Sequence, residues 1–145
     1  MIIAVDFDGT IVTHKYPDIG EEIPFAIDTL KMLRRDGHHL ILWTVREGKL
    51  LEEAVDWCRM RGLEFYAVNR EYPEETRDSN PQFTRKLKAD LFIDDRNLGG
   101  LPGWGVIYNM IKQGKTWEDM MDEMASRLPD SPLPPPRKRW WQILK

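Results

Sequence analysis

Two aspartates one residue apart, Asp6 and Asp8, end the apolar run "IIAVDFD", and a second acidic pair, Asp94 and Asp95, ends "LFIDD". Between them Thr44 closes another apolar run, "HLILWT", with Arg46 two residues on. Carboxylates in such places can attack an electrophile, move a proton or hold a cation. Taken alone, an Asp-x-Asp says little, since surface turns contain it and some sugar-nucleotide transferases hold a metal with one. Two unit charges about 4 Å apart interact by roughly 4 kcal/mol at an effective dielectric near 20. Four gathered carboxylates are therefore costly unless a cation neutralises them or some stay protonated. An all-oxygen set without His or Cys support points to Mg²⁺, which takes one or two carboxylates and keeps waters for a substrate to displace.

The elements that would gather these groups follow from hydrophobic periodicity. Residues 2–7 read as a strand buried on both faces, because the apolar residues run on without alternating. Ile23, Ala26, Ile27, Leu30 and Leu33 give helical spacing over 21–36, with Pro24 in the first turn and Gly37 as the stop. A second buried strand is expected at 39–43, a helix over 49–61 bearing Leu51, Ala54, Val55 and Cys58, and a third strand at 64–68. The polar stretch 69–85 is longer than ordinary connections and marks a functional or disordered loop. A fourth strand at 89–93 and a short fifth at 105–108 follow. The last helix starts near Thr116, where Thr116 and Asp119 have capping-box spacing, and its stripe of Trp117, Met120, Met121, Met124 and Leu128 reads as core packing.

Strands alternating with helices predict an α/β fold, a three-layer α/β/α Rossmann-like open parallel sheet. Ligands of such sheets bind beyond the carboxyl ends of the strands, where the strand order reverses. Asp6, Asp8, Thr44, Asp94 and Asp95 all fall at or just past a predicted strand end. The polar residues gather at one edge.

Bulk properties narrow the function. At 145 residues one domain is expected over 1–128, followed by a Pro-rich, basic and aromatic tail over 129–145 that either docks back or meets a partner. A net charge of −3 argues against general nucleic-acid binding, which needs a basic surface. No stretch approaches the roughly 18 apolar residues that span a bilayer, and the N-terminus reads as a strand rather than a signal peptide. The single cysteine, Cys58, has no internal partner and sits among apolar neighbours, so a reducing cytoplasm is the expected compartment.

The order "DFDGT", "LWT", a lysine and "LFIDD" over roughly residues 2–100 resembles the four motifs of the haloacid dehalogenase superfamily. Most of its members are Mg²⁺-dependent phosphohydrolases working through an aspartyl phosphate. The resemblance implies Asp6 as nucleophile and Asp8 as general acid and base. It implies Thr44 as a donor to a phosphoryl oxygen, with a strand-end hydroxyl capping the next turn as the less favoured alternative. Asp6, Asp94 and the backbone carbonyl of Asp8 would hold Mg²⁺, with Asp95 acting through a water. For the lysine, Lys86 is preferred to Lys88 because small members carry Lys-Pro-x-Ala-Asp before this strand, although Leu87 replaces the proline. Arg46 is either a further phosphate contact or a surface arginine. His14, His38 and His39 lack ligand spacing and read as surface or packing residues.

Two rivals remain. Receiver domains share the sheet type and the Asp, Thr, Lys and Mg²⁺ chemistry, but their phosphorylated aspartate lies on a later strand, against the order here. A non-catalytic binder of a phosphorylated ligand would keep the fold without turnover. There is no room for a full cap domain, so an open site is expected, covered if at all by the 69–85 loop or by a second copy in a homo-oligomer. It would admit a phosphorylated small molecule or macromolecule.

Overall fold

The computed structural model describes residues 1–76 and 86–126. In chain order the elements are β1 (Ile2–Val5), α1 (Ala26–Arg35), β2 (His39–Leu42), α2 (Gly48–Met60), β3 (Ala67–Val68), β4 (Leu91–Ile93), α3 (Trp104–Gln113) and α4 (Trp117–Ser126). The four strands form one parallel sheet in the order β3-β2-β1-β4. This is the α/β, Rossmann-like three-layer arrangement that the alternation of strands and helices predicts. Among the described residues, those up to Asn109 and those from Met110 to Ser126 fall into two compact units.

Burial explains why the strands read as unbroken apolar runs. Ile3, Ala4 and Val5 of β1 and Leu40, Ile41 and Leu42 of β2 are all buried. Ala4, Ile41, Ala67 and Leu87 form one cluster, with Ile2, Trp43, Ala89 and Phe92 packed against it. In α1, Ala26, Ile27, Leu30 and Leu33 are buried at helical spacing. Cys58 is buried in α2, and burial pushes its thiol up to about 12, so it serves as a small apolar side chain.

Register brings the strand ends level. Val5 lies opposite Leu42 on one side and Ile93 on the other. The next residues continue the ladder: Asp6 N–H donates to the Ile93 carbonyl (3.0 Å), Trp43 N–H to Val5 (2.8 Å) and Asn69 N–H to Leu42 (2.8 Å). The chain leaves β1 towards β2 and β3 and returns to place β4 on the other side of β1. That reversal opens the binding crevice between β1 and β4.

Three expectations need correction. The first helix starts at Ala26 rather than 21, because residues 21–23 pair in a flap: Thr13 N–H donates to Glu21 and Ile23 N–H to Ile11. Phe25, at φ 68°, turns the chain from that flap into α1. The expected fifth strand at 105–108 is the start of α3; its apolar run is helical, with Trp104 and Ile107 buried three residues apart. Short apolar runs do not distinguish a strand from a buried helix. In α4 no residue is buried, and Trp117, Met121 and Met124 are exposed rather than core among the described residues. Its N-terminus does carry the expected reciprocal cap, Thr116 N–H to Asp119 Oδ2 (2.7 Å) and Asp119 N–H to Thr116 Oγ1 (3.2 Å). Leu128, the 129–145 tail and residues 77–85 of the long loop lie outside the described residues.

Candidate functional site

Past β1 the chain turns sharply, and the turn is what aims the motif. Gly9 has φ +93°, and a Cβ there would sit 2.2 Å from His14 Nε2 and 2.7 Å from Asp95 Oδ2. Only glycine fits both the backbone and the space. Val12 N–H and Ile11 N–H return to the Phe7 carbonyl, closing the loop. Thr10 is fully buried and works as a cross-brace. Its hydroxyl donates to Asp6 Oδ2 (3.3 Å) and accepts from Asp95 N–H (3.1 Å), while its carbonyl accepts from Trp104 Nε1 (3.2 Å).

The three carboxylates of Asp6, Asp94 and Asp95 each bring one oxygen within 4.8 Å of the others. Asp6 is pushed up to about 6, first by burial and then by the charges of Asp94 and Asp95, against hydrogen bonds from Phe7 and Thr10. Asp95 Oδ2 meets His14 Nε2 at 2.9 Å, but its Oδ1 is buried without a hydrogen-bond partner. An orphaned carboxylate oxygen within an acidic triad suits a hard cation with oxygen ligands. The residues present fit Mg²⁺.

Asp8 belongs to a different environment. Its side chain is not among that triad; both of its oxygens accept from Arg46, Nε to Oδ2 at 2.7 Å and Nη2 to Oδ1 at 2.6 Å. Arg46 is 0% exposed, so it is not a surface arginine, and four of its N–H groups are turned to Asp8 and to the carbonyls of Pro17 and Asp18. That corrects the reading of this residue as a surface arginine. A charged side chain buried this deeply has to be paired, and its partner, 38 residues away, has no local signature.

A cleft of about 210 Å³ opens beside these groups, lined by Asp6, Asp8, Trp43, Thr44, Val45, Asp94 and Arg96. Thr44 lines it as expected, with its N–H held by Asn69 Oδ1 (2.8 Å). Its hydroxyl oxygen accepts from Arg46 N–H (3.3 Å), so it caps the following turn and still has a proton to donate into the cleft. Lys86 and Lys88 are exposed on either side of buried Leu87 and are not among the lining residues. Sequence reasoning passed over Thr10, Asn69 and Arg96, and read His14 as a surface or packing residue, whereas it bonds Asp95 at the acidic triad. Asn69 and Arg96 follow strand ends, as Thr44 does, and the same rule points to them; His14 carries no such signal.

A solved structure of a conserved protein from Bacteroides thetaiotaomicron superposes on this chain with a TM-score of 0.78. The two are 67% identical, and the match covers 83% of this chain and 96% of that one. The chain belongs to that protein's family. No protein-family model matches the chain, and no curated protein does. Among the described residues no helix is long and apolar enough to cross a membrane.

Proposed function

We propose that the protein is a Mg²⁺-dependent phosphohydrolase acting through a phosphoaspartate on Asp6, with membership of the haloacid dehalogenase superfamily as the motifs suggest. The observation that carries this reading is the acidic triad of Asp6, Asp94 and Asp95 at the β1–β4 crevice, with an orphaned oxygen on Asp95. Asp6, Asp94 and the backbone carbonyl of Asp8 would hold the ion, with Asp95 directly or through a water. Bound there, Mg²⁺ supplies positive charge to the phosphoryl oxygens and lowers the repulsion between an anionic nucleophile and an anionic ester.

Asp6 attacks phosphorus in line; the bond from phosphorus to the ester oxygen breaks, and an acyl phosphate forms. Water then attacks phosphorus and releases the carboxylate. Thr44 donates its hydroxyl to a phosphoryl oxygen in both steps. Asp8 holds the proton-transfer position. Each of its oxygens keeps a lone pair beside the Arg46 bonds, so taking a proton from water suits the arrangement directly. Giving a proton to the leaving oxygen requires one of those lone pairs to be protonated first, which the paired Arg46 charge opposes. That pairing favours a second reading, a phospholigand-binding protein without turnover.

The cleft is open to solvent in the described residues, which suits a phosphorylated small molecule or a phosphate carried on a macromolecule. A reducing cytoplasm fits the lone, buried Cys58. The test is a panel of phosphoesters, from p-nitrophenyl phosphate to phosphometabolites and phospho-oligonucleotides, with Mg²⁺, comparing wild type with Asp6→Asn. Wild type turns over at least one, and Asp6→Asn loses at least about a thousandfold in kcat. Turnover of none by clean wild type would leave the binding reading.

A further inference from the structure

We propose that Arg46 is the positioning residue of this site: its guanidinium joins Asp8 and the flap tip at 16–18 into one unit, so that Asp8 faces the cleft only while the flap is docked. For its effect on turnover this role presupposes the phosphohydrolase reading; the coupling of flap to Asp8 does not.

The guanidinium uses two edges for two jobs. One edge, Nε and Nη2, grips both oxygens of Asp8 at 2.7 and 2.6 Å. The remaining donors hold the flap, Nη1 to the Pro17 carbonyl at 2.9 Å and Nη2 to the Asp18 carbonyl at 2.8 Å. Four of its five N–H groups are thereby assigned. Its Cζ also lies over two rings, Phe7 with a centroid at 5.2 Å and Tyr16 at 5.3 Å. Phe7 in turn packs edge-on against Trp57 of α2, with centroids 5.8 Å apart. The fork therefore meets both a ring anchored against a helix and a ring supplied by the flap. The base of the flap is closed separately by Thr13 and Glu21.

A lysine in this place could meet Asp8 or the carbonyls, but not both, because a compact ammonium lacks the planar two-edged fork. If Asp8 is aimed through Arg46, a small loss of alignment reduces the reaction rate rather than substrate affinity; a misplacement of about 1 Å can cost on the order of a hundredfold. A residue that merely stabilised the fold would lower the melting temperature and leave kcat per folded molecule unchanged.

The test combines kinetics with amide hydrogen exchange on Arg46→Lys, Asp8→Asn, their double variant and Tyr16→Ala. Arg46→Lys should lower kcat ten- to a hundredfold with KM within about threefold. The double variant should be within about twofold of Asp8→Asn, since the two residues act as one unit. Amides at 13–20 should exchange at least about tenfold faster in Arg46→Lys and Asp8→Asn. Tyr16→Ala alters an exposed side chain, and should speed flap exchange a few-fold with the fold intact. Additive kinetics, or a folded Arg46→Lys with unchanged kcat or a protected flap, would overturn the proposal. If wild type turns over no phosphoester, the hydrolase reading falls and flap exchange alone decides. If Arg46→Lys does not fold, exchange in Asp8→Asn and Tyr16→Ala decides instead.

Discussion

Two corners of the cleft treat the same kind of side chain in opposite ways. At the β1–β4 corner, Asp6 stands with Asp94 and Asp95, with the half-exposed His14 bonded to Asp95 and the Arg96 backbone N–H donating to Asp94 Oδ1 (2.8 Å). At the β1–β2 corner, Asp8 is matched by a buried arginine that contacts both of its oxygens. The backbone separation is two residues, yet one carboxylate is left electrostatically costly while the other is compensated by the fold. The difference assigns them different work. A permanent cation fixes a carboxylate in one position, whereas an acidic corner without one has free energy to gain when a divalent ion arrives.

The largest effect that would break this contrast lies at the compensated corner. Arg46→Met leaves a nearly buried Asp8 charge without its partner, and losing one member of a buried pair costs about 3–5 kcal/mol. Asp6→Asn should instead stabilise the metal-free protein, because it removes a buried charge facing two others. Chemical denaturation of both variants in chelator checks the opposite signs. A loss below about 1 kcal/mol in Arg46→Met would mean that Asp8 finds another partner or water, and the two corners would no longer differ.

Next in size is the response to metal. Mg²⁺ at a hundredfold above its dissociation constant stabilises a folded protein by about 2.7 kcal/mol, which for this chain length is roughly 5–10 °C in melting temperature. Asp94→Asn should abolish most of that rise while leaving the metal-free melting temperature equal or higher. Thermal scans with and without Mg²⁺ decide it. A wild type indifferent to Mg²⁺, Mn²⁺ and Ca²⁺ would leave the acidic corner without a purpose in this account.

Much of this contrast was legible before any coordinates. Parallel strands buried on both faces read as apolar runs, and each run ends in the polar residue that lands at the sheet's working edge: Asp6, Thr44, Asn69 and Asp94. The acidic corner follows from that rule plus the adjacency of β1 and β4. The arginine corner does not, because nothing near residue 46 shows that the fold buries it against a carboxylate 38 positions earlier. Local pattern also misled where tertiary pairing took precedence. Residues 21–23 have helical spacing but pair with 11–13 across the flap, and the run at 105–108 fits either a strand or the helix it joins. The methionine stripe of α4 has the periodicity of a core face without being buried by the described residues.

A smaller effect concerns pH. Asp6 has its folded pKa raised to about 6 from an ordinary 3.8, so the folded state binds this proton more tightly than the unfolded one. Its contribution to stability is fully present below about pH 3.8 and is lost as pH rises through about 6. In chelator, wild type should therefore lose roughly 2–5 °C relative to Asp6→Asn between pH 4.5 and 7.5, after allowance for partial solvent screening. Saturating Mg²⁺ should remove the difference by favouring the ionised form. A constant gap between the two proteins across this range would show that burial, with the charges of Asp94 and Asp95, does not raise Asp6 as the geometry requires.

The smallest effect tests whether the acidic corner has any built-in cation. His14 Nε2 lies 2.9 Å from Asp95 Oδ2, but the imidazole is about half exposed, and its charge depends on protonation. It orients the carboxylate whose other oxygen is orphaned, much as outer partners orient metal ligands, and such partners contribute tenfold or more to metal affinity. Exposure places His14 at the lower end, so His14→Ala should weaken Mg²⁺ binding by about three- to tenfold in a calorimetric titration, with the metal-free stability nearly unchanged. A gain in affinity would mean that His14 competes with the ion for Asp95. A destabilisation as large as that of Arg46→Met would mean that the acidic corner too is held by a cation of its own, and that the division of labour between the two corners is false.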